Sequence, residues 1–308
     1  MSKRTYALMA AWTVAIIYGV TFTIAKDVMP TYVDAFGFIF MRVGGSTVLF
    51  WLTALGMALA NPSQSQKIDL KDFPRIIAAA FFGVAFNMLT FFKGLSYTSP
   101  IMGAVLMVTT PMIVLVLSAF IMKEKMQRQK IFGIILGLAG TLLLILYGRS
   151  MINAPNAALG NFLVFINAVS YGFYLILVKK LMDKYSAYAF VKWIYLFGFL
   201  MVIPFGWQEF RQIDWPSVPF DIYWKIGFVI VISTFLTYLL NLLSMRELKP
   251  TTVAVFIYLQ PFFASVFAIG LGKDELSWVK TGSSLLIFTG VYLVTQKKVK
   301  PTESKGFD

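Results

Sequence analysis

The feature that most constrains this chain is a repeat inside it. Displaced by 150 residues, Pro100–Leu143 lies on Pro250–Leu293 without a gap; the identities include Pro100/Pro250, Pro111/Pro261, Lys123/Lys273, Lys130/Lys280 and Gly140/Gly290. Displaced by 153 residues, Ala15–Tyr32 lies on Ala168–Tyr185, matching Tyr18 with Tyr171 and Gly19 with Gly172. Each repeat carries five long apolar stretches. If every stretch crosses a bilayer, an odd number per repeat turns the second repeat upside down relative to the first. Inverted repeats of this kind are an architecture of secondary transporters, whose substrate site lies between the halves.

The membrane reading rests on composition. The chain is 58% hydrophobic and only 13% charged, whereas a soluble domain carries about 25% charged residues. About 20 apolar residues span a bilayer core as helix. Ten stretches qualify, near 6–26, 35–59, 74–96, 99–122, 130–149, 158–179, 187–206, 222–244, 251–271 and 278–296. None alternates apolar and polar residues as a barrel strand does. The expected fold is therefore an all-α membrane protein of ten transmembrane helices in two inverted five-helix repeats. Residues 1–150 form the first, 151–298 the second, and 299–308 a basic, polar tail.

The net charge of +13 does not point to nucleic acid, because the basic residues sit in short loops rather than on one face. With both termini inside, 18 of the 27 basic residues fall on the inner side, the positive-inside bias of a membrane protein. The expected partners are a small-molecule substrate and the lipid bilayer. The expected location is a bacterial inner membrane with cytoplasmic termini. Enzyme chemistry has no visible residues: there is no His and no Cys, no HExxH, no Walker A loop and no GxSxG. No cofactor and no metal is implied.

Several residues stand out as candidates. Pro111 and Pro261 fall inside matching spans, where each frees the carbonyl four residues earlier, Met107 or Ile257, and shapes a bend. Thr109, Thr110, Tyr258 and Gln260 add polar groups at that depth. Trp12, Tyr18, Thr21, Asn87, Asn167, Tyr171, Tyr174, Thr237, Tyr238 and Asn241 complete an aromatic wall with a few convergent polar groups, the character of a small-molecule site. Arg42 lies about 10 Å into the second span at ~1.5 Å per residue. It either serves function, snorkels outward, or pairs with Asp34 or Asp27. No Asp or Glu falls inside a span, so a proton-for-cation exchanger lacks its carboxylate, and a neutral or zwitterionic substrate fits better. Gly133, Gly137 and Gly140, with Gly282, Ser283 and Gly290, offer close helix approach. Their partner helix lies in the same chain or in a second copy, as a homodimer through helices 5 and 10; the sequence leaves both open.

These motifs resemble a family. "AIIYGVTFTIAK" at 15–26, Arg42, and "GLSYTSPIMGAVLMVTTPMIVLVLSAFIMKEKM" at 94–126, with Pro111 and Glu124, recur as Tyr171-Gly172, Pro261 and Asp274-Glu275. In order and spacing, over about residues 6–296, they resemble the drug/metabolite transporter superfamily with paired EamA-type repeats. One departure is that Arg42 meets Tyr195 in the second half. The resemblance implies an exporter of small metabolites such as amino acids, with helices 1, 3, 4, 6, 8 and 9 around a cavity. Helices 2 and 7 would then be peripheral moving elements, with Arg42 off the substrate path. Gly19 and Gly172 would join Pro111, Pro261 and Arg42 as gating or structural residues. The remaining alternatives are a carrier of nucleotide-sugars or lipid intermediates and a channel-like or structural membrane protein.

Overall fold

The computed structural model describes residues 2–29, 31–60, 66–97, 106–124, 127–146, 157–270 and 278–296. Among them all regular structure is helical, and no strand occurs. Helices α1 (Lys3–Val28) and α2 (Ala35–Ala60) come first. Helix α3 (Phe73–Ala80) passes through a π-helical turn, Phe81–Ala85, into α4 (Phe86–Tyr97). Next come α5 (Thr110–Ile121), α6 (Arg128–Leu146), α7 (Ala157–Met182) and α8 (Ala187–Arg211). Helix α9 (Phe220–Ile230) passes through a second π-turn, Val231–Leu236, into α10 (Thr237–Glu247). The chain then forms α11 (Pro250–Val255), a 3-10 turn at Phe256–Tyr258, α12 (Leu259–Gly270) and α13 (Trp278–Thr295).

Six helical runs are long and apolar enough to cross a membrane: Ala35–Ala60, Leu70–Gly94, Ala158–Met182, Ala187–Arg211, Phe220–Glu247 and Pro250–Phe267. Large apolar side chains such as Leu52, Phe120, Phe132 and Leu285 point outward, as lipid-facing helices require. This is an all-helical membrane protein. The basic tail 299–308, Pro100, Asp274 and Glu275 lie outside the described residues.

The packing repeats as the sequence does. Helix α1 packs on α10 and α12, and α7, 153 residues later, packs on α4 and α5. Helix α2 packs on its own counterpart α8, and α6 on its counterpart α13. The α6–α13 seam is where the glycines are used. A methyl group added at Gly133 would lie 2.8 Å from the Gly290 carbonyl oxygen, and one at Gly140 would lie 2.7 Å from the Ser283 carbonyl oxygen. The small residues thus close an intrachain contact. Gly282 is different: nothing lies within 4 Å of its added carbon, so it is not part of the seam.

Candidate functional site

Four helical runs break in two matched pairs. The π-turns Phe81–Ala85 and Val231–Leu236 begin 150 residues apart. The breaks before α5 and α12 also correspond: the helix opens around Val108–Thr109 in one case, and at Phe256–Tyr258 in the other. Pro111 and Pro261 therefore do not kink continuous helices, as expected from sequence. Each lies in the first turn of a helix that has restarted, a position that tolerates a residue without an N–H. The carbonyl of Met107 nevertheless needs a donor, and Thr110 Oγ1 supplies it at 2.6 Å. Thr109 does the same for Leu106 at 2.6 Å.

A π-turn also frees backbone groups, and inside a bilayer these need partners from the protein. Around the first turn, Ser170 Oγ donates to the Phe82 carbonyl at 2.7 Å and Tyr238 OH donates to the Gly83 carbonyl at 2.8 Å. Around the second, Ser46 Oγ donates to the Ile230 carbonyl at 3.1 Å and Thr234 Oγ1 to the Val229 carbonyl at 2.7 Å. Thr237 Oγ1 donates to the Ser233 carbonyl at 2.7 Å.

The two turns flank a polar and aromatic centre. Thr21 Oγ1 lies 2.9 Å from Ser233 Oγ, and Thr237 Oγ1 lies 3.3 Å from Tyr18 OH. The rings of Tyr171 and Tyr174 are 5.9 Å apart, those of Tyr174 and Tyr238 6.1 Å, and those of Tyr195 and Tyr238 4.9 Å. Asn241 is buried one turn beyond Thr237 on α10. Asn87 and Asn167 exchange amide-to-carbonyl hydrogen bonds at 3.3 and 2.6 Å, which ties α4 to α7. The hydroxyls of Tyr174 and Tyr195 and the Oδ1 of Asn167 are buried without a hydrogen-bond partner.

Not every candidate joins this centre. Trp12 sits in a separate apolar cluster, stacked on Phe288 at 5.8 Å and edge-on to Phe256 and Phe263. Tyr258 is fully buried in that same cluster against Gly137, its hydroxyl unpaired. Gln260 meets α1 through its backbone, its carbonyl facing Gly19 where a methyl group would lie 3.1 Å away. Gly172 makes the matching approach of α7 to α5, against Leu117. Both glycines let paired helices touch.

Arg42 overturns two expectations. It neither snorkels nor pairs with Asp27 or Asp34; Asp27 is bound by Lys225 at 2.9 Å. Arg42 instead reaches inward from α2, with Nε donating to Thr234 Oγ1 at 2.6 Å and Nη2 to the Ser233 carbonyl at 3.4 Å. Through Thr234 and the Ser233 backbone it joins the cluster that holds Thr21. Sequence reasoning also missed Ser233 and Thr234. Their signal was two adjacent small hydroxyl residues in a strongly apolar run. Beyond the expected span 187–206, Glu209 near the end of α8 accepts from the Phe36 and Gly37 amides at 2.7 and 2.8 Å and caps the start of α2.

Ionised groups collect beyond the helix ends. Burial pushes the Glu124 carboxyl up, but Lys130 at 2.7 Å, Lys249 at 3.3 Å and the Thr251 hydroxyl outweigh it and hold the group below its usual range. Lys184 bridges Asp69 and Asp72, and hydrogen bonds to those two carboxylates hold it high. Among the described residues no cluster of three or more His, Cys, Asp or Glu could hold a metal.

Comparison with known proteins agrees with this geometry. The family model of the EamA-like transporter family matches residues 5–146 and again 158–296, one match per repeat. The uncharacterized transporter YetK of Bacillus subtilis is 26% identical over 75% of this chain and 70% of its own length. An uncharacterized transporter of Archaeoglobus fulgidus is 23% identical over 97% of this chain and 99% of its own. A solved crystal structure shares the fold at a TM-score of 0.76 and 16% identity, covering 95% of this chain and 98% of its own. A family model matched twice along the chain and relatives that are transporters lead to one conclusion: the chain belongs to the EamA-like transporter family and is a membrane transporter, not an enzyme.

Proposed function

We propose that the chain crosses a bacterial inner membrane ten times, as two inverted five-helix repeats, and exports small metabolites such as amino acids by alternating access. The observation that supports this most is the matched pair of π-turns at Phe81–Ala85 and Val231–Leu236, which flank Tyr18, Thr21, Arg42 and Tyr238. Transporters build substrate sites where interrupted helices of two repeats meet, and the halves rock about that site. Both termini lie in the cytoplasm, and the basic loops stay there.

Two measurements test the reading. The metabolites in the medium of overproducing cells are compared with those of empty-vector cells; a defined set of amino acids enriched outside supports export, and depletion reverses the direction. Topology is read by membrane-impermeant thiol labelling of single cysteines, since the natural chain has none. Cysteines replacing Lys67 and Lys184 should label from the cytoplasm and one replacing Arg211 from outside. All three labelling from one side would refute the inverted arrangement.

A further inference from the structure

Arg42 is a cation on a long apolar helix, and among the described residues it has hydrogen bonds but no counter-charge. A charged side chain inside a bilayer is costly and marks function by default. Such a cost persists where function needs the charge. Nε is engaged by Thr234 at 2.6 Å and Nη2 only weakly by the Ser233 carbonyl at 3.4 Å. The planar fork therefore keeps donors for a further acceptor.

Asp27 pairs with Lys225, Glu209 caps α2, and among the described residues no carboxylate pairs with Arg42. The groups that hold the guanidinium are neutral: the Thr234 hydroxyl and the Ser233 carbonyl, with Thr21 bonded in turn to the Ser233 hydroxyl. Thr234 passes its own proton to the Val229 carbonyl at 2.7 Å, so its oxygen is fixed as the acceptor from Nε and the guanidinium is held in place. Thr234 lies near the midpoint of the run Phe220–Glu247, so the fork opens at mid-depth, beside the π-turn.

Resting on the transport reading above, we propose that Arg42 is the substrate anchor and that the substrate carries a carboxylate which the Arg42 fork binds. A planar carboxylate matches the guanidinium in a bidentate pair. A phosphate dianion would call for a second cation here, and the described centre holds none. The pseudo-symmetric position carries Tyr195 instead, so one end of the substrate meets a charge and the other an aromatic cluster.

The test uses the purified full chain in proteoliposomes. Uptake is measured for radiolabelled L-amino acids and small monocarboxylates, and competed with each acid, its carboxamide and a phosphate monoester of similar size. The expected result is that wild-type substrates are carboxylates and that the acid competes while the amide does not. Arg42→Gln should raise KM about tenfold or more, the loss of one charge-assisted pair. Arg42→Lys, which keeps the charge but not the fork, should fall between. Size-exclusion elution and thermal unfolding report whether each variant is folded, and the wild-type acid-versus-amide comparison needs no variant at all. Equal competition by acid and amide, preference for the phosphate monoester, or an unchanged KM in folded Arg42→Gln would overturn the assignment and leave transport standing. A folded wild type that moves none of the compounds would end the amino-acid reading and the anchor with it.

Discussion

The two π-turns share a backbone device but differ in side-chain chemistry. The first, Phe81–Ala85, has the sequence FFGVA and contributes no polar side chain; its free carbonyls are met by Ser170 and Tyr238 from other helices. The second, Val231–Leu236, reads VISTFL and places Ser233 and Thr234 against Thr21 and Arg42. At the matched positions Gly83 and Ser233, one residue admits the ring of Tyr174 and the other offers a hydroxyl. The two sides of that centre are built differently: one admits a packed ring, and the other presents hydroxyls, one of them to Arg42.

The largest effect should come from Gly83→Val, which drives a branched side chain into the Tyr174 ring. Overpacking of this kind costs about 1–3 kcal/mol or more, so thermal unfolding in detergent should fall by several degrees and transport should be lost. Ser233→Ala, at the matched position, should leave the melting temperature nearly unchanged while reducing flux. Equal melting losses at the two sites would erase the distinction between packing and binding turns.

Next are Pro111→Ala and Pro261→Ala. Each allows the helix to continue through its break, so transport should fall more than expression does. Flux and membrane abundance measured together decide this, and wild-type flux in both variants would remove the cavity-shaping role of the breaks.

A smaller effect is expected at the junction after α5. Glu124 has a folded pKa below its ordinary value of 4.5, so its contribution to stability is present above pH 4.5 and is lost as pH falls through the folded value. Melting curves of wild type and Glu124→Gln should therefore differ at neutral pH and converge in acid. A gap that persists below the folded value would assign the loss to packing rather than charge.

The smallest effect belongs to Tyr18→Phe. The Tyr18–Thr237 contact is long, at 3.3 Å, and interhelical bonds in membranes average about 0.6 kcal/mol. Stability should shift by less than that, and a loss of more than about 1 kcal/mol on unfolding would show a stronger hydroxyl network than these distances describe.

Much of the fold could be read from the chain. Apolar run length marked the helices, and repeat spacing marked the proline-associated breaks, since a residue that cannot donate an N–H leaves a signature wherever it stands. The Tyr18, Tyr171, Tyr174, Thr237 and Tyr238 group was also legible, because aromatic and hydroxyl residues are conspicuous in apolar runs. Trp12 and Tyr258 carried the same signature yet pack in another cluster. Which way a side chain faces on a fully apolar helix leaves no periodicity to read, because lipid and protein interior are equally hydrocarbon-like.

The sequence by itself determined that this chain enters a membrane, that it is helical, that it is built twice, and roughly where two of its four breaks fall, at Pro111 and Pro261. Those properties follow from local chemistry: apolar length, missing donors and repeated spacing. The tertiary structure alone decided that Arg42 turns inward to Thr234, that Glu209 caps α2, that the α6 glycines meet α13, and that the two π-turns face one centre. Each of these is a contact between residues far apart in the chain, fixed by which helices approach closely enough to satisfy a buried charge or a free backbone group.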